Sequence, residues 1–479
     1  LKKWEEFSES PFWNFLKSHP SLTDISKDAQ YLDSLAENNK QVSKLLKKRK
    51  FFLSAHMTHS TDYDFLYLLD LKEASKLDLV PLVVKTLTNK NDYAVTEKEY
   101  KSAKILSIRE NSSGEELFIS QVDNFLALSY TKSLLHKCIS NSKTSDKIIP
   151  QNLTLVKQET KDNGLAKLYI NYAYIKPYID LYANVSPSII DALSSSFSYT
   201  GLDLRLQERD ATIDGFTTLP DSVDLYSRLL QTYGNTEFDF DQVISARTAY
   251  LQAIGINDFK EFFGKVLELR STEDESIAEY EAIKHKIEKV LSLTLEKDIL
   301  PWIGSEVVIA QNKPSKHHRN QEDIIVAIKA DNIDFAKEKL QKIQKSIKNR
   351  TPTKFKKLRF KTYDIYFLDI KGMFSLFFGK AFAKVTKPYY TIVDEYILFS
   401  NNPKSLISSL EDYENGTVLA NSEDYQKVKD NLPDDAALFS YINGTQAYTA
   451  IAQKINIENN KKYLESKPYI EYFQGIGLT

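Results

Sequence analysis

The chain has 479 residues, 42% of them hydrophobic, 12% aromatic and 27% charged, which supplies cores for about three domains or two large ones and excludes a disordered or collagenous polypeptide. Lys and Arg total 63 against 65 Asp and Glu, and the net charge of −2 gives no overall field that would draw the chain to nucleic acid or anionic lipid. Only 14 glycines stand against 28 Tyr and 26 Phe, a balance that suits aromatic-rich sheets and not glycine phosphate loops, and the single Cys138 excludes an intrachain disulfide or a multi-cysteine metal centre.

The sequence opens at Leu1 without Met, which we read as loss of an N-terminal segment, either a signal or a membrane anchor or one removed by design. No stretch of the given sequence approaches the roughly 20 uncharged apolar residues of a spanning helix. Trp4, Phe7, Phe12 and Phe15 open a helical region. Phe51–Ala55 and Asp64–Leu69 then read as strands, with His56 and His59 in the turn between them, and a helix of about four turns follows. Lys104–Ile108 alternates with period 2. Val122–Ser129 enters a helix at Lys132–Leu135, whose apolar face of Leu134, Leu135 and Ile139 takes Cys138 as a buried structural thiol. Tyr169–Asn171 is a further strand, and Tyr199–Leu206 with Asp210–Phe216 reads as a hairpin.

The same order then recurs. Val122–Ser129 matches Val393–Ser400 at a separation of 271, while Lys132-Ser133-Leu134-Leu135 matches Lys404-Ser405-Leu406-Ile407 and Tyr169-Ile170-Asn171 matches Tyr441-Ile442-Asn443, both at 272. Upstream, Asp64–Leu69 resembles Asp323–Ile328 at 259, and Phe51–Ala55 aligns with Glu306–Ala310. Phe335, Leu340, Ile343 and Ile347 carry the helical period in the second copy. This predicts an α+β protein, a tandem duplication of a unit in which an antiparallel sheet packs against helices, with units at 1–235 and 236–479. Gly477-Leu478-Thr479 matches Gly201-Leu202-Asp203, so the counterpart of that hairpin is expected to be missing. An unfinished sheet edge is a hazard, and the expectation is that the natural chain continues or that a partner supplies a strand.

Leu300–Glu306, Phe377–Phe382 and Lys387–Tyr390 through Phe399-Ser400-Asn401 resemble the DUF3352 family in the form found in Bacteroidetes. The resemblance extends over most of the chain. It implies an envelope protein exported behind an N-terminal signal or anchor, often followed by a repeat-rich β region, and it implies no catalytic residues.

The sequence carries no phosphate loop, zinc-protease helix, nucleophile elbow or calcium loop. His56 and His59, with His317 and His318 in the corresponding loop of the second copy, are weak metal candidates, and solvated turns are the preferred reading. The run Lys354–Lys361 interleaves cations with aromatics as some single-strand nucleic-acid readers do, but it fits better as a half-buried strand with Leu358 and Phe360 inward. Carboxylate runs such as Glu273-Asp274-Glu275 fit helix starts, where negative charge is favoured. The apolar cluster holding Phe374, Phe377, Phe378 and Phe382 packs a core or, as the alternative, forms a wedge docking on a partner or membrane interface.

The reading that results is a non-catalytic envelope scaffold or binding module without a cofactor, periplasmic or anchored facing the periplasm. Its expected partner is another envelope protein and not nucleic acid, and membrane tethering would pass through the missing N-terminal segment. Two alternatives stand beside it: a subunit docking on an outer-membrane or secretion assembly, and a metal-dependent protein using the histidine-bearing hairpin loops.

Overall fold

The computed structural model describes residues 9–16, 18, 49–60, 62–72, 93–144, 149–161, 164–182, 197–206, 211–220, 225–270, 274–291, 293–317, 323–350, 357–368, 374, 377, 382, 384–451 and 460–479. It is an α+β protein of antiparallel sheets and helices that divides into two compact units, Leu1–Val223 and Asp224–Thr479. The division falls twelve residues before the boundary read from the sequence, because helix-forming Leu225–Tyr233 packs Leu229, Leu230 and Tyr233 against the core of the second unit.

The first unit holds a short helix α1 (Pro11–Leu16) and a six-stranded sheet of β1 (Phe51–His59), β2 (Asp62–Asp70), β3 (Tyr93–Tyr100), β4 (Ala103–Glu110), β5 (Glu116–Val122) and β6 (Phe125–Ser129), ordered β1-β2-β6-β5-β4-β3. Alternation of side chains gives this sheet two faces. Leu69, Leu106, Ile108, Ile119 and Leu126 gather on one. On the other, Ile105, Phe118 and Ala127 meet Leu135 and Ile139 of α2 (Lys132–Ser142), with Cys138 half-buried beside them. After α3 (Gln151–Glu159), β7 (Ala166–Asn171) leads into α4 (Ile175–Tyr182), and β8 (Tyr199–Leu206) and β9 (Ala211–Thr218) complete a separate sheet ordered β7-β8-β9.

The second unit opens with α5 (Leu225–Tyr233) and a two-stranded ladder of β10 (Thr236–Glu237) with β18 (Asp435–Ala436). Its main sheet has nine strands: β11 (Thr248–Gly255), β12 (Ile303–Asn312), β13 (Asp323–Ala330), β14 (Lys357–Phe360), β15 (Tyr363–Phe367), β16 (Tyr389–Val393), β17 (Tyr396–Ser400), β19 (Leu438–Ile442) and β20 (Ile476–Leu478). Their order is β14-β15-β16-β17-β13-β12-β11-β19-β20. Helices α6 (Phe259–Arg270), α7 (Asp274–Leu291), α8 (Leu295–Asp298) and α9 (Ile333–Arg350) belong to a core on one face, to which Leu340, Ile343 and Ile347 contribute at helical spacing. A second core takes Leu406 and Leu410 from α10 (Pro403–Glu414) and Tyr425 from α11 (Glu423–Lys429). Helices α12 (Gly444–Ile451) and α13 (Asn460–Tyr472) precede β20. Buried on both faces, central strands β13 and β17 read as nearly continuous apolar runs.

Six strands in each unit follow the same order. β12-β13-β17-β16-β15-β14 repeats β1-β2-β6-β5-β4-β3, antiparallel throughout. Local devices repeat with it. Asp123 and Asp394 take the left-handed conformation, with φ of 51° and 50°, in the two-residue turns before β6 and β17, as Lys101 and Lys361 do before β4 and β15. The carbonyl of the next residue ties each of the first two turns to a neighbouring strand: Asn124 O accepts from Leu71 N–H at 2.7 Å and Glu395 O from Ala330 N–H at 2.8 Å. Ser129 and Ser400 each accept from the N-cap backbone two residues on, Thr131 and Asn402. Tyr169 pairs with Gly201, and Tyr441 with Gly477.

Three expectations are corrected. The ladders pair Phe52 with Leu68 and Val308 with Ala327, so β1 corresponds to β12 at a separation of 256, which sets Phe51 against Val307 and not Glu306. His56 and His59 lie within β1 and not in a turn, because the ladder continues until His59 pairs with Asp62 across an irregularity at Met57. Leu358 is 42% exposed and not inward, since β14 is the outermost strand; Phe360 packs against the core as expected. The helical regions expected at Trp4 and Phe7 and between β2 and β3, together with Lys354–Lys356, lie outside the described residues.

Candidate interaction edge of the first unit

Among the described strands, β11 has no counterpart in the first unit and β9 has none in the second. In the second unit β11 lies between β12 and β19 and joins them into one sheet; in the first unit the corresponding strands, β1 and β7, are each the last described strand of a separate sheet. A strand at an edge presents a row of backbone groups, and successive residues point these groups alternately toward the paired neighbour and away from it. Ala55 O and Met57 N–H point away from β2, where both meet the Tyr178 hydroxyl, so Phe51 and Leu53 by alternation also present their N–H and C=O groups outward.

Burial follows the same division. Phe51, Phe52 and Leu53 are 53%, 46% and 54% exposed, whereas the corresponding Val307 and Val308 are 1% and 0% exposed. Tyr169 on β7 is 38% exposed against 1% for Tyr441 on β19. Aromatic rings continue the apolar surface from β1 across β2. Phe51 lies 6.2 Å from Tyr67, Tyr67 6.1 Å from Phe65, Phe65 5.4 Å from Tyr63, and Tyr63 5.7 Å from Tyr178 of α4. On the opposite face Phe52 meets Phe125 edge-on at 6.0 Å.

One side chain occupies a rung of this edge. The Tyr178 hydroxyl donates to Ala55 O at 2.9 Å and accepts from Met57 N–H, and burial raises its pKa. At the corresponding place in the second unit the N–H of Lys313, which matches Met57, donates to Arg247 O at 2.8 Å, immediately before β11. The Tyr178 hydroxyl thus engages the same two kinds of backbone group that an added strand engages.

The predicted site residues fall elsewhere. His56 Nε2 lies 2.8 Å from Ser54 Oγ, and burial, with Lys137 nearby, lowers its pKa. His317 Nε2 is 3.0 Å from Glu411 Oε2, and the Lys316 and His317 hydrogen bonds hold that carboxylate below its usual range. His318 lies outside the described residues. No group of three His, Cys, Asp or Glu among the described residues is arranged to hold a metal ion.

The wedge reading of the aromatic cluster is overturned by burial. Phe374 and Phe382 are 0% and 1% exposed, and Phe377 is buried with its ring 5.3 Å from Phe263; Phe378 lies outside the described residues.

Sequence reading missed two buried polar centres, because their members are far apart in the chain. Glu306 accepts from the N–H groups of Asp239 and Phe240 at 3.1 and 3.0 Å, from the Tyr396 hydroxyl at 2.7 Å and from Lys329 Nζ at 2.9 Å. Burial raises the Glu306 pKa against these hydrogen bonds, and burial beside Glu306 pushes Tyr396 well above the phenol range. Arg247 donates to Asp412 and Asp323 at 2.7 and 2.9 Å; burial opposes its charge, and the two carboxylates raise its pKa overall. Both centres tie the approach to β11 to the second sheet, and each sets opposite charges against one another, which is how buried charge is tolerated, although Arg247 Nη2 is buried without a hydrogen-bond partner among the described residues.

Among the described residues no helix is long and apolar enough to cross a membrane. No curated protein and no solved structure matches the chain. Residues 272–476, from the start of α7 into β20, match the family described as "Protein of unknown function (DUF3352)". Through this segment of its second unit, the chain is similar to the DUF3352 family.

Proposed function

We propose that this chain is a non-catalytic binding or scaffold module of the bacterial cell envelope, made of two copies of one α+β unit, and that it meets its partner at the β1 edge of the first unit. The observation that carries this reading is the exposed run Phe51–Leu53, whose counterparts Val307 and Val308 in the second unit are buried in the cores on the two faces of its sheet. Contiguous exposed apolar surface rimmed by polar groups is the usual mark of an interaction site. The shared strand order, turn conformations and cap bonds support duplication, and the envelope location rests on the family resemblance. The partner is an envelope protein, and an outer-membrane or secretion assembly would offer such a surface.

Photo-crosslinking residues placed singly at Phe52, Leu53 and, as a control, Val308 test the proposal in living cells. A discrete adduct formed from Phe52 and Leu53 in the envelope fraction, and absent from Val308, is the expected result. Adducts that are equally abundant from all three positions, or found only in the cytosol, would contradict it.

A further inference from the structure

We infer that the second unit holds a ligand site of its own, the cleft between α9 and strands β15 and β16, and that this cleft takes a neutral polyhydroxylated molecule the size of one sugar ring. The site is independent of the β1 edge.

The cleft has a volume of about 180 Å³. For scale, a cavity of about 150 Å³ accepts benzene. Lys337, Gln341 and Gln344, at helical spacing on α9, line one side, and Asp364, Tyr366 and Tyr390 line the other. Tyr366 and Tyr390 are cross-strand partners with ring centroids 5.7 Å apart, and the Lys357 ammonium lies 5.2 Å from the centre of the Tyr366 ring. Two oxygens here, the Tyr390 hydroxyl and Asp364 Oδ1, are buried without a hydrogen-bond partner among the described residues, and Tyr390 as a whole is only 2% exposed. The second carboxylate oxygen is engaged: Lys357 Nζ lies 2.9 Å from Asp364 Oδ2, and the Tyr366 hydroxyl donates to it at 3.1 Å. A buried polar group left unpaired is costly, and its presence in a fold calls for a reason.

The sheet itself does not require these groups. The register that relates Val122 to Val393 sets Ile119 against Tyr390, and their ladder partners are Leu106 and Tyr366. The first unit thus builds the same place from two buried aliphatic side chains.

The chemistry of the two unpaired oxygens selects the ligand. The Lys357 hydrogen bond holds the Asp364 carboxyl below its usual range, so Oδ1 only accepts. Burial, with Tyr366 beside it, pushes the Tyr390 phenol well above its ordinary value, so its oxygen keeps a proton to donate. A hydroxyl can donate to the first and accept from the second, whereas an ammonium only donates and a carboxylate only accepts. The Gln341 and Gln344 amides offer both kinds of group to further hydroxyls, and Leu340 and Ile392 supply an apolar wall for ring carbons.

Saturation-transfer difference NMR of glucose, galactose and N-acetylglucosamine with the full chain tests the inference, with acetate and methylammonium as the charged alternatives. At least one sugar should show saturable transfer, and neither ion should displace it. Tyr390→Phe and Gln341→Leu should each weaken that sugar by about 5- to 10-fold, the effect of one hydrogen bond. Without sugar, Tyr390→Phe should leave the thermal midpoint unchanged or raise it, because the hydroxyl it removes has no partner to lose. Absence of transfer from all three sugars, a signal undiminished in both variants, displacement of the sugar by either ion, or a lowered midpoint for Tyr390→Phe would each overturn the inference.

Discussion

Gly477 of β20 lies directly beneath Val428 of α11, so that a β-carbon at Gly477 would overlap Val428 Cγ1. Gly201 of β8 stands in the same relation to Val156 of α3, and Val156 and Val428 are 272 residues apart, the separation that also relates Tyr169 to Tyr441. Each glycine lets a helix rest on the strand that pairs with the equivalent tyrosine. At Gly201 the overlap also involves Thr160 Oγ1, which is held by a 2.6 Å bond to Val156 O and cannot swing away freely. Gly201→Ala should therefore destabilise the first unit by about 1–3 kcal/mol, the cost of overpacking. Gly477→Ala meets only the ends of Val428 and Leu432 and should cost less, with Val428→Ala relieving it. Denaturant unfolding of the single and double variants checks this, and a neutral Gly201→Ala would contradict the close approach.

Asp298 makes a pH-dependent contribution in the segment preceding Leu300-Pro301-Trp302. Burial alone would raise its pKa, but the Thr294 N–H and the Lys342 and Lys339 ammonium groups hold it below the ordinary 3.8. A carboxylate depressed on folding stabilises fully above its unfolded pKa, and this stability is lost as pH falls through the lower folded value. Asp298→Asn should cost roughly 1–3 kcal/mol at neutral pH, the loss of a hydrogen bond to a charged group. In denaturation curves at descending pH, the gap between wild type and variant should close below 3.8 and remain constant above it.

Phe374 discriminates a core from a docking surface. Its ring meets Phe399 edge-on at 5.0 Å, and it is fully buried. Phe374→Ala should lower stability by about 3–5 kcal/mol, as cavity formation in a packed core does. A wedge that faces a partner would show no such loss in the isolated protein, and the thermal midpoint of the variant reports which applies.

The sequence made the later strands of each unit legible because Val122–Ser129 and Val393–Ser400 each pair a polar turn with a strand and an N-cap, so that one register satisfies all three. At β1 and β12 the register slipped by one residue. Phe51–Leu53 and Val307–Ile309 are apolar at every position, and a strand without alternation does not announce which residue faces which side. The proposed interaction edge was legible only as a suspicion of an unfinished sheet, placed at β20. Its location at β1 depends on β11 being present in one unit and unmatched among the described strands of the other, and local pattern does not report such a long-range pairing. The links from Glu306 to Tyr396 and from Arg247 to Asp412 were hidden for the same reason, since each joins residues 90 or more positions apart.

The proposed binding role requires β1 to be an open edge where β12 is a covered one, and residue-resolved amide hydrogen exchange on the intact chain measures that difference directly. Leu53 and Ile309 occupy equivalent outward positions, and Ile309 is paired with Gln252 of β11. The Leu53 amide should exchange faster than that of Ile309 by on the order of 100-fold or more, with Met57 intermediate because its N–H is held by Tyr178. Equal protection at Leu53 and Ile309 would mean that a strand already covers β1, and would contradict the account.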